Sequence, residues 1–412
     1  MVLHFMIDML VLRCDFARVQ NSNNPDIPDF VWPDFRLADM SIPLEQSIDS
    51  DGSISNTRHP WESIPSSYES MAFKVFDHRF DQLDTFYVEI KASPAKLMQG
   101  HNVYGSSDIY DCSMHLLELL CMTYPQVSER LNHRSWSLSQ IDITYSTRAK
   151  DNNEAKTFIN ALHNVSFGQT KSRTGYDGTA YFGKKSSRLK KIKVYSKWAE
   201  VQEIIKKNGK RQDGEILNEV YTPDLVNFSA GLIRWEVSLY HRYFDRLGIS
   251  TLLVDIFKEN TFSKETLINY WKIGTLDLFK SLKGQTMKTL NNHDIKIKLR
   301  AQFSKVSAKT GKVSTVLADS VFRTYNDIQR DGWLVAQESM SRMNFNRHVK
   351  MLCECGLSRA ALQNMNGLND GAQIIPFVRF IEVNFCEQFP ADYIEPPAKH
   401  VRDLHPQLRL VA

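Results

Sequence analysis

Four short segments of the sequence each place ionisable side chains between apolar ones, as half-buried β-strands do. They are YVEIK (87–91), IDIT (141–144), IKVYSK (192–197) and LIRWEVSL (232–239). Because side chains alternate across a strand, Glu89, Asp142 and Glu236 lie opposite the apolar side chains of their own segments. If these strands share one sheet, its polar face carries three carboxylates. The same alternation puts Tyr195 and Lys197 on that face.

This set of side chains suits chemistry on a phosphodiester. Carboxylates with a nearby histidine, such as His101 in QGHNVYG (99–105), can hold a hard divalent ion that polarises a phosphoryl oxygen. Tyr195 could then attack phosphorus, and Lys197 could stabilise the phenolate or the phosphorane charge. Cleavage of this kind keeps the energy of the broken bond in a phosphotyrosine. Considered alone, each of these patterns is more simply explained as the ordinary polar face of a half-buried strand. His101, considered alone, is more simply explained as a histidine in a loop.

The positive charge of the chain is concentrated in two runs. The 412 residues contain 51 Lys+Arg and 47 Asp+Glu, a net charge of +4. Residues 171–211 hold 13 basic and 3 acidic residues, and residues 283–312 hold 8 and 1. Aromatic residues accompany the first run, and this mixture favours single-stranded nucleic acid over the alternative of a solvated face. The candidate DNA-binding residues are Lys171, Arg173, Lys184, Lys185, Arg188, Lys190, Lys191 and Lys193.

Composition excludes several other classes of protein. With 42% hydrophobic and 24% charged residues, the chain is a folded protein long enough for two or three domains. No apolar run approaches the roughly 18 residues of a membrane-spanning helix, so we expect no membrane partner. Six cysteines without a C-x-x-C pair predict neither a disulfide framework nor a zinc knuckle, which fits a reducing cytoplasm.

The elements that must position the site alternate without a strict βαβ rhythm. We predict a buried strand in the first 14 residues, further strands at 71–76, 85–90, 141–146, 179–183, 190–196 and 231–239, and helices at 111–124, at 152–165 and from Trp198. This pattern predicts an α+β fold, an antiparallel sheet with helices on one face and an open catalytic face. A smaller, mainly helical C-terminal domain follows. The predicted units are a catalytic domain (1–255), a helical connection and linker (256–286) and a C-terminal domain (287–412).

Several longer segments resemble the replication initiators of filamentous phages, the gene II protein family. The resemblance runs in order from about Met6 to the C-terminal region, and the KASPAK-x-x-QGHNVYG segment is its most specific part. IDIT, YFGKKSS…VYSK and IRWE are more weakly similar to the rolling-circle initiators of small plasmids. The matching segments are MIDMLVLR (6–13), VEIKASPAKLMQGHNVYG (88–105), IDITYSTRA (141–149), NVSFGQTKS (164–172), VYSK (194–197), SAGLIRWEV (229–237) and IPFVRFIEVNF (375–385).

The resemblance implies a nicking and closing enzyme that opens one strand of the double-stranded phage origin. Such an enzyme keeps the 5′ end on a tyrosine, leaves a 3′-OH for host polymerase and recircularises the displaced strand. Tyr195, in VYSK, falls on the covalent tyrosine of the family. The strand faces and the motifs together place a Mg²⁺ or Mn²⁺ ion at Asp142, Glu89, Glu236 and His101. Related nickases use a His-hydrophobe-His metal motif, which QGHNV lacks.

The implied partners are supercoiled origin DNA, single-stranded DNA, and the host replication helicase and polymerase, in the cytoplasm of the bacterial host. Residues 1–5 precede the usual family start at Met6, and Met287 aligns with an internal start that yields a separate C-terminal protein in the family. Two alternatives stay open. One is a non-catalytic single-stranded DNA-binding protein or repressor, and the other is a metal nuclease that hydrolyses DNA without a covalent intermediate.

Overall fold

The computed structural model describes residues 5–20, 30–31, 37–77, 86–167, 170–174, 178–211, 214–283, 292–306, 311–365 and 377–394. The strands are β1 (Met6–Asp15), β2 (Val19–Gln20), β3 (Phe30–Val31), β4 (Glu45–Ile48), β5 (Ile54–Arg58), β6 (Glu62–Pro65), β7 (Ser70–Phe76), β8 (Tyr87–Ala92), β9 (Ser137–Arg148), β10 (Ser166–Phe167), β11 (Thr170–Thr174), β12 (Thr179–Phe182), β13 (Lys190–Ser196), β14 (Leu232–Tyr240), β15 (Lys305–Val306) and β16 (Val313–Ser314).

The α-helices are α1 (Pro94–Gln99), α2 (Ile109–Thr123), α3 (Pro125–Ser128), α4 (Asn152–Leu162), α5 (Lys197–Asn208), α6 (Gly214–Glu219), α7 (Pro223–Ser229), α8 (His241–Asp245), α9 (Leu253–Glu259), α10 (Lys264–Leu282), α11 (Asn292–Phe303), α12 (Val316–Asp331), α13 (Trp333–Glu338), α14 (Arg342–Glu354), α15 (Arg359–Gln363) and α16 (Phe377–Ile381). Short 3₁₀ helices occupy Leu37–Met40 and His133–Ser135. Among the described helices, none combines the length and the apolar character that crossing a membrane requires.

One large antiparallel sheet organises the first part of the chain. Its strand order is β10-β11-β12-β13-β14-β9-β1-β8-β7-β6. The long alternating segments of β9, β13 and β14 lie together near its centre, as their β-branched and aromatic composition predicts. The predicted α+β fold is therefore confirmed, and β1 confirms the buried strand predicted at the N-terminus.

Helices α2, α4 and α10 cover one face of this sheet. The inward side chains of the central strands, among them Ile143, Trp235 and Val237, are fully buried in one hydrophobic core with these helices. At Gly274 of α10, an added Cβ would lie 2.6 Å from Val237 Cγ1. Glycine therefore allows the helix to approach the sheet closely. Since the apolar side chains point to this face, the polar side chains of the same strands point to the other.

A second hydrophobic cluster lies in the C-terminal, mainly helical part of the chain. It is built from buried side chains of α11, α12 and α14, such as Leu299, Tyr325 and Phe345. Helix α10, by contrast, belongs to the core of the sheet. The predicted domain boundaries stay a prediction, and Met287 and residues 284–286 of the predicted linker lie outside the described residues.

The last described segment, residues 377–394, returns to the sheet. Phe380 packs against Phe158 of α4 with ring centroids 4.4 Å apart. The side-chain amide of Gln388 pairs with the backbone of Ser146 in β9, accepting from its N–H at 2.7 Å and donating to its carbonyl oxygen at 2.9 Å. Since β1 pairs with β9 only as far as Thr144, Gln388 satisfies backbone groups that no β1 residue reaches.

Candidate active site

The strand register brings the polar side chains of β9, β13 and β14 together. Lys193 lies opposite Glu236 between β13 and β14, and Asp142 lies opposite Ser238 between β9 and β14. Tyr195 follows Lys193 by two residues, so it points to the same side. Opposed residues of an antiparallel pair also share a side. These side chains therefore occupy the sheet face that α2, α4 and α10 leave uncovered.

This face is covered around Tyr195, although the sequence predicts an open one. Tyr195 is only 4% exposed and Lys197 is fully buried. A small hydrophobic cluster that includes Val103, Val201 of α5 and Leu225 of α7 lies on this side of the sheet, because it also contains Leu232 of β14, which shares the side of Glu236. A catalytic group at this end of the sheet is thus held in a protein environment rather than in bulk water, and charge interactions are stronger in such an environment.

Tyr195 lies between two cations. The Nζ atom of Lys193 is 4.1 Å from the centroid of its ring, and that of Lys197 is 6.0 Å away. Burial, together with neighbouring carboxylates of which Glu200 has the largest effect, raises the pKa of Tyr195 well above its ordinary value. The phenol is therefore protonated at neutral pH. Against this, the positive charge of Arg234 lowers the pKa of Tyr195, and the two ammonium groups lie close enough to the ring to interact with a developing negative charge.

Lys197 is held by two polar partners in a buried position. Its Nζ donates to Asn102 Oδ1 at 2.7 Å and to Glu200 Oε2 at 2.8 Å. Burial lowers the pKa of Lys197 to about 8, although Glu200 opposes this shift. Burial raises the pKa of Glu200, but the Lys197 ammonium outweighs it and leaves a net decrease. Lys197 is thus an ammonium close to the pH at which it loses its proton.

Asp8 is a site residue that sequence reasoning missed. The β1–β9 register passes from Ile7 to Met9 with an irregularity, which leaves Asp8 on a bulge without a ladder partner. Its Oδ1 accepts from Asn102 Nδ2 at 2.7 Å. A carboxylate inside the otherwise apolar segment MIDMLVL (6–12) was the available signal, since a buried charge requires partners.

Asp8, Asp142 and Glu236 form a group of interacting carboxylates. Burial raises the pKa of Asp142, and Asp8 raises it further against hydrogen bonds from Gln140 and Ser238. Burial likewise raises the pKa of Glu236, which Asp142 and Asp8 increase and Lys193 decreases. The Lys193 ammonium lies 3.4 Å from Glu236 Oε2, and its own pKa is raised because nearby carboxylates outweigh its burial. The charged forms of Asp142 and Glu236 are therefore disfavoured, and a further cation close to them would favour those forms.

The loop between α1 and α2 connects these groups. Asn102 contacts both Asp8 and Lys197 through its side chain. Arg234 of β14, opposite Tyr195, donates to the backbone carbonyl oxygens of Asn102 and Val103. The loop is thereby fixed to the sheet at the strand position that carries the tyrosine. Asn102 and Arg234 were not singled out from the sequence, because contacts over about 95 and 130 residues leave no local pattern.

Glu89 and His101 do not join the three carboxylates. Glu89 lies opposite Arg13 on β1, whereas Asp142 lies opposite Met9, four residues and about 13 Å further along that strand. Burial raises the pKa of Glu89 against the nearby Lys91, Arg13 and Lys74. As metal ligands, Glu89 and His101 stay predictions.

His101 belongs to the same loop as Asn102. Burial, and secondarily the Lys197 charge, lowers its pKa to about 4, so the imidazole is neutral at neutral pH. Its Nδ1 lies 3.3 Å from Gln99 Nε2 and 3.4 Å from the backbone nitrogen of Val103. A neutral imidazole is the form that binds metals, but here its Nδ1 is used to shape the loop.

Within the part of the chain that the structure describes, no group of three or more His, Cys, Asp or Glu side chains is arranged to hold a metal ion. The donor chemistry nevertheless fits a hard divalent cation. Asp8, Asp142 and Glu236 offer carboxylate oxygens, the ligands that Mg²⁺ and Mn²⁺ prefer. Burial, and after it their mutual repulsion, raises the pKa of Asp142 and Glu236, and a nearby cation favours the charged form of such carboxylates.

The predicted DNA-binding residues divide into several environments. Lys184, Lys185 and Arg188 are at the β12–β13 turn, where both lysines are exposed. Lys190 donates to the carbonyl oxygen of Gly274 at 3.2 Å, and Lys191 lies over the ring of Tyr240. Arg173 of β11 and Lys193 belong to the face of Tyr195 by register. The side chain of Lys171 lies outside the described residues.

The turn also borders a basic cavity of about 540 Å³. Four of the predicted residues line it, together with Arg242 of α8 and Arg246, which directly follows that helix. These two arginines were missed because they lie about 50 residues further along the chain. The turn and Tyr195 occupy opposite ends of β13, five residues or about 17 Å apart. The cavity is therefore suited to binding phosphates that lie at a distance from Tyr195. Its cationic lining residues are Lys184, Arg188, Lys190, Lys191, Arg242 and Arg246.

Comparison with known families identifies the class of protein that this fold and site represent. A model for the N-terminal part of the phage replication-associated protein encoded by gene II matches residues 6–260, and a model for its C-terminal part matches residues 308–399. The chain is thus a replication-associated protein, matched both over the sheet that carries Tyr195 and over the C-terminal helices. It belongs to the gene II protein family, which confirms the resemblance described above.

Relatives extend over nearly the whole chain. The replication-associated protein of Enterobacteria phage f1 is 32% identical over 96% of this chain and 100% of its own length. That of Salmonella phage IKe is 31% identical over 95% of this chain and 96% of its own. A more distant relative from Enterobacteria phage I2-2 is 25% identical over 85% of this chain. No solved structure matches the chain.

Proposed function

We propose that this protein initiates rolling-circle replication by nicking one strand of a double-stranded phage origin and later rejoining the displaced strand. The observation that carries the proposal is Tyr195, placed between the ammonium groups of Lys193 and Lys197 and close to several carboxylates. Family membership supplies the context of replication. A tyrosine is a nucleophile able to keep the cleaved end attached.

In the proposed reaction, Tyr195 Oη forms a bond to the scissile phosphorus and loses its proton. The bond from phosphorus to the 3′ oxygen breaks, and that oxygen takes up a proton to leave a 3′-OH. The 5′ end stays on the protein as a phosphotyrosine. The raised pKa of Tyr195 requires stabilisation of its phenolate, and we assign this role to the nearby cations Lys193, Lys197 and Arg234. Attack of a 3′-OH on the phosphotyrosine reverses these steps and rejoins the strand.

We propose that Asp142 and Glu236, with Asp8, hold a Mg²⁺ or Mn²⁺ ion. Such an ion would polarise the phosphoryl oxygen and neutralise charge in the transition state. Lys193, whose Nζ lies 3.4 Å from Glu236 Oε2, supplies positive charge to the same carboxylate. Burial, together with Asp142 and Asp8, raises the pKa of Glu236, and a divalent ion held there would favour its charged form.

The metal proposal predicts different outcomes for two carboxylates of the same sheet face. Asp142→Asn should raise the Mg²⁺ concentration for half-maximal nicking by about tenfold or more, since it removes a charged donor. Glu89→Gln is the matched control, because Glu89 lies beside Arg13 instead. Titration of Mg²⁺ in a nicking assay measures both. Equal effects of the two variants would assign Glu89 to the metal as well.

The basic residues at the β12–β13 turn, with Arg242 and Arg246, supply non-specific affinity for the supercoiled origin and for single-stranded DNA. After cleavage, the free 3′-OH is a substrate for a host polymerase, and unwinding of the duplex ahead of it requires a host helicase. We therefore propose that the protein acts in the cytoplasm of the bacterial host.

The direct test uses supercoiled origin DNA with Mg²⁺. The wild-type protein should give nicked circles and reseal a fraction of them without ATP. Tyr195→Phe should abolish nicking, whereas Tyr181→Phe should retain it, because Tyr181 lies on the neighbouring strand opposite Lys193. Nicking by Tyr195→Phe at the wild-type rate would overturn the assignment of the nucleophile.

The basic cavity at the turn also supports a second candidate, a non-catalytic DNA-binding protein or repressor. That candidate predicts salt-dependent DNA binding with no cleavage under any metal condition. A hydrolytic nuclease, in turn, would leave a nick that the protein cannot reseal. Resealing without ATP therefore distinguishes the main proposal from both.

A further inference from the structure

A second cleft lies between the sheet edge and the C-terminal helices. Its volume is about 890 Å³, and one wall consists of residues 163–166 with Ser172, at the β10–β11 edge. The other wall consists of α13, the start of α14 and α15. The walls are joined by Gln363, whose side chain accepts from the backbone N–H of Ser166 at 3.0 Å and donates to its Oγ at 2.6 Å.

Two arginines without acidic partners line this cleft. Within the described residues, neither Arg342 nor Arg359 makes a hydrogen bond or an ion pair, and the Nε–H of Arg359 is buried without an acceptor. The one carboxylate in the lining, Asp331, already pairs with Arg330 at 2.6 Å. A buried N–H without an acceptor is costly, so the cleft has unused capacity to bind an anion.

The guanidinium of Arg359 is also held in position. It lies 5.1 Å from the ring centroid of Trp333, which is itself packed edge-on against Phe345 at 4.9 Å. Asn346, one turn after Arg342 on α14, adds an exposed amide to the lining. Guanidinium groups bind phosphate through paired hydrogen bonds, and a preoriented one loses less entropy on binding.

We propose that this cleft binds the phosphate backbone of single-stranded DNA. A cavity of this volume is of small-ligand size, so it accepts a few nucleotides of one strand rather than a duplex. Polar walls with two such guanidiniums and an amide do not suit an apolar ligand. The cleft lies at the β10–β11 edge, two strands from Tyr195, and is therefore distinct from the site of cleavage. The inference rests on the proposed action on DNA but not on the identity of the nucleophile.

The test measures binding of a labelled oligothymidylate by fluorescence anisotropy across a range of salt concentrations, using the full chain. Arg342→Ala should weaken binding about tenfold and make the salt slope shallower by about 0.7, the value for one contact to a single-strand phosphate. Arg347→Ala is the matched control, since Arg347 is exposed on the same helix but does not line the cleft. It should leave affinity and slope unchanged.

Arg342 is exposed, so its replacement does not threaten the fold. Arg359→Gln should weaken binding to a similar degree, and its unfolding temperature, compared with wild type, shows whether the Trp333 contact matters for stability. Equal affinities for Arg342→Ala and Arg347→Ala would overturn the proposal, as would an equally large decrease in affinity for a duplex of the same length. Binding needs no cleavage, so a failure of the nicking proposal gives a different result from a failure here.

Discussion

Two groups of lysines within one basic run have opposite environments. At the β12–β13 turn, Lys184 and Lys185 are exposed, and the cavity beside them has no acidic side chain in its lining. Only a few residues later, Lys193 and Lys197 are partly or wholly buried and pair with Glu236 and Glu200. Both groups consist of positively charged lysines of the same basic run. The lysines at the turn face solvent, whereas Lys193 and Lys197 face Tyr195. A run of positive charge in a sequence therefore does not by itself identify a DNA-binding surface.

Among substitutions in the two groups of lysines, Lys197→Met should have the largest effect on stability and on nicking. This change leaves the half-buried Glu200 carboxylate without its partner, which costs about 1–3 kcal/mol of stability. It also removes a cation from the tyrosine, so we expect single-turnover nicking to fall by about 100-fold or more. Lys197→Arg, which keeps the charge, should recover part of both. Urea unfolding and nicking rates measure the two effects, and undiminished nicking by Lys197→Met would remove Lys197 from the mechanism.

Of the two groups of lysines, only the buried one should make the nicking rate depend on pH. Because burial lowers the pKa of Lys197 to about 8, its ammonium form is present below that pH and is lost above it. If the ammonium stabilises the phenolate, the single-turnover rate should fall as pH rises through about 8. Lys197→Arg should move this fall to higher pH, since arginine stays charged. The same descending limb in both proteins would assign it to another group.

The smallest effect should come from the exposed group. Replacement of Lys184, Lys185 and Arg188 by alanine should weaken origin binding and make its salt slope shallower, by about 0.9 for each phosphate that the protein no longer neutralises. The single-turnover rate at saturating protein should not change, because these side chains lie about 17 Å or more from Tyr195. Anisotropy with duplex origin DNA measures the slope. An unchanged slope would make this turn a solvated face only.

Much of the sheet could be predicted from the sequence, because strand alternation is a local property. The side on which Asp142, Tyr195 and Glu236 lie follows from their immediate neighbours, and the register confirms that they share one face. The difference between Lys184 and Lys193 was not predictable in this way. It depends on which strands become neighbours and on the loop that covers Tyr195.

The unpredicted parts of the site all rest on contacts distant in sequence. Asp8 joins the carboxylates through a bulge, and Asn102 reaches both Asp8 and Lys197 from a loop about 95 residues away. The return of residues 377–394 is a similar case. Tyr393 packs against Tyr104 with ring centroids 4.8 Å apart, so the C-terminal segment supports the same loop. Periodicity carries no information on such pairings.

The most direct measurement of the central claim is mapping of the covalent adduct. The wild-type protein is incubated with origin DNA and Mg²⁺, digested with nuclease and protease, and the modified peptide is sequenced by mass spectrometry. The proposed mechanism predicts a nucleotide attached through phosphate to Tyr195, and its absence from Tyr195→Phe. A nucleotide on another residue, or nicked DNA with no protein attached to its 5′ end, would contradict it.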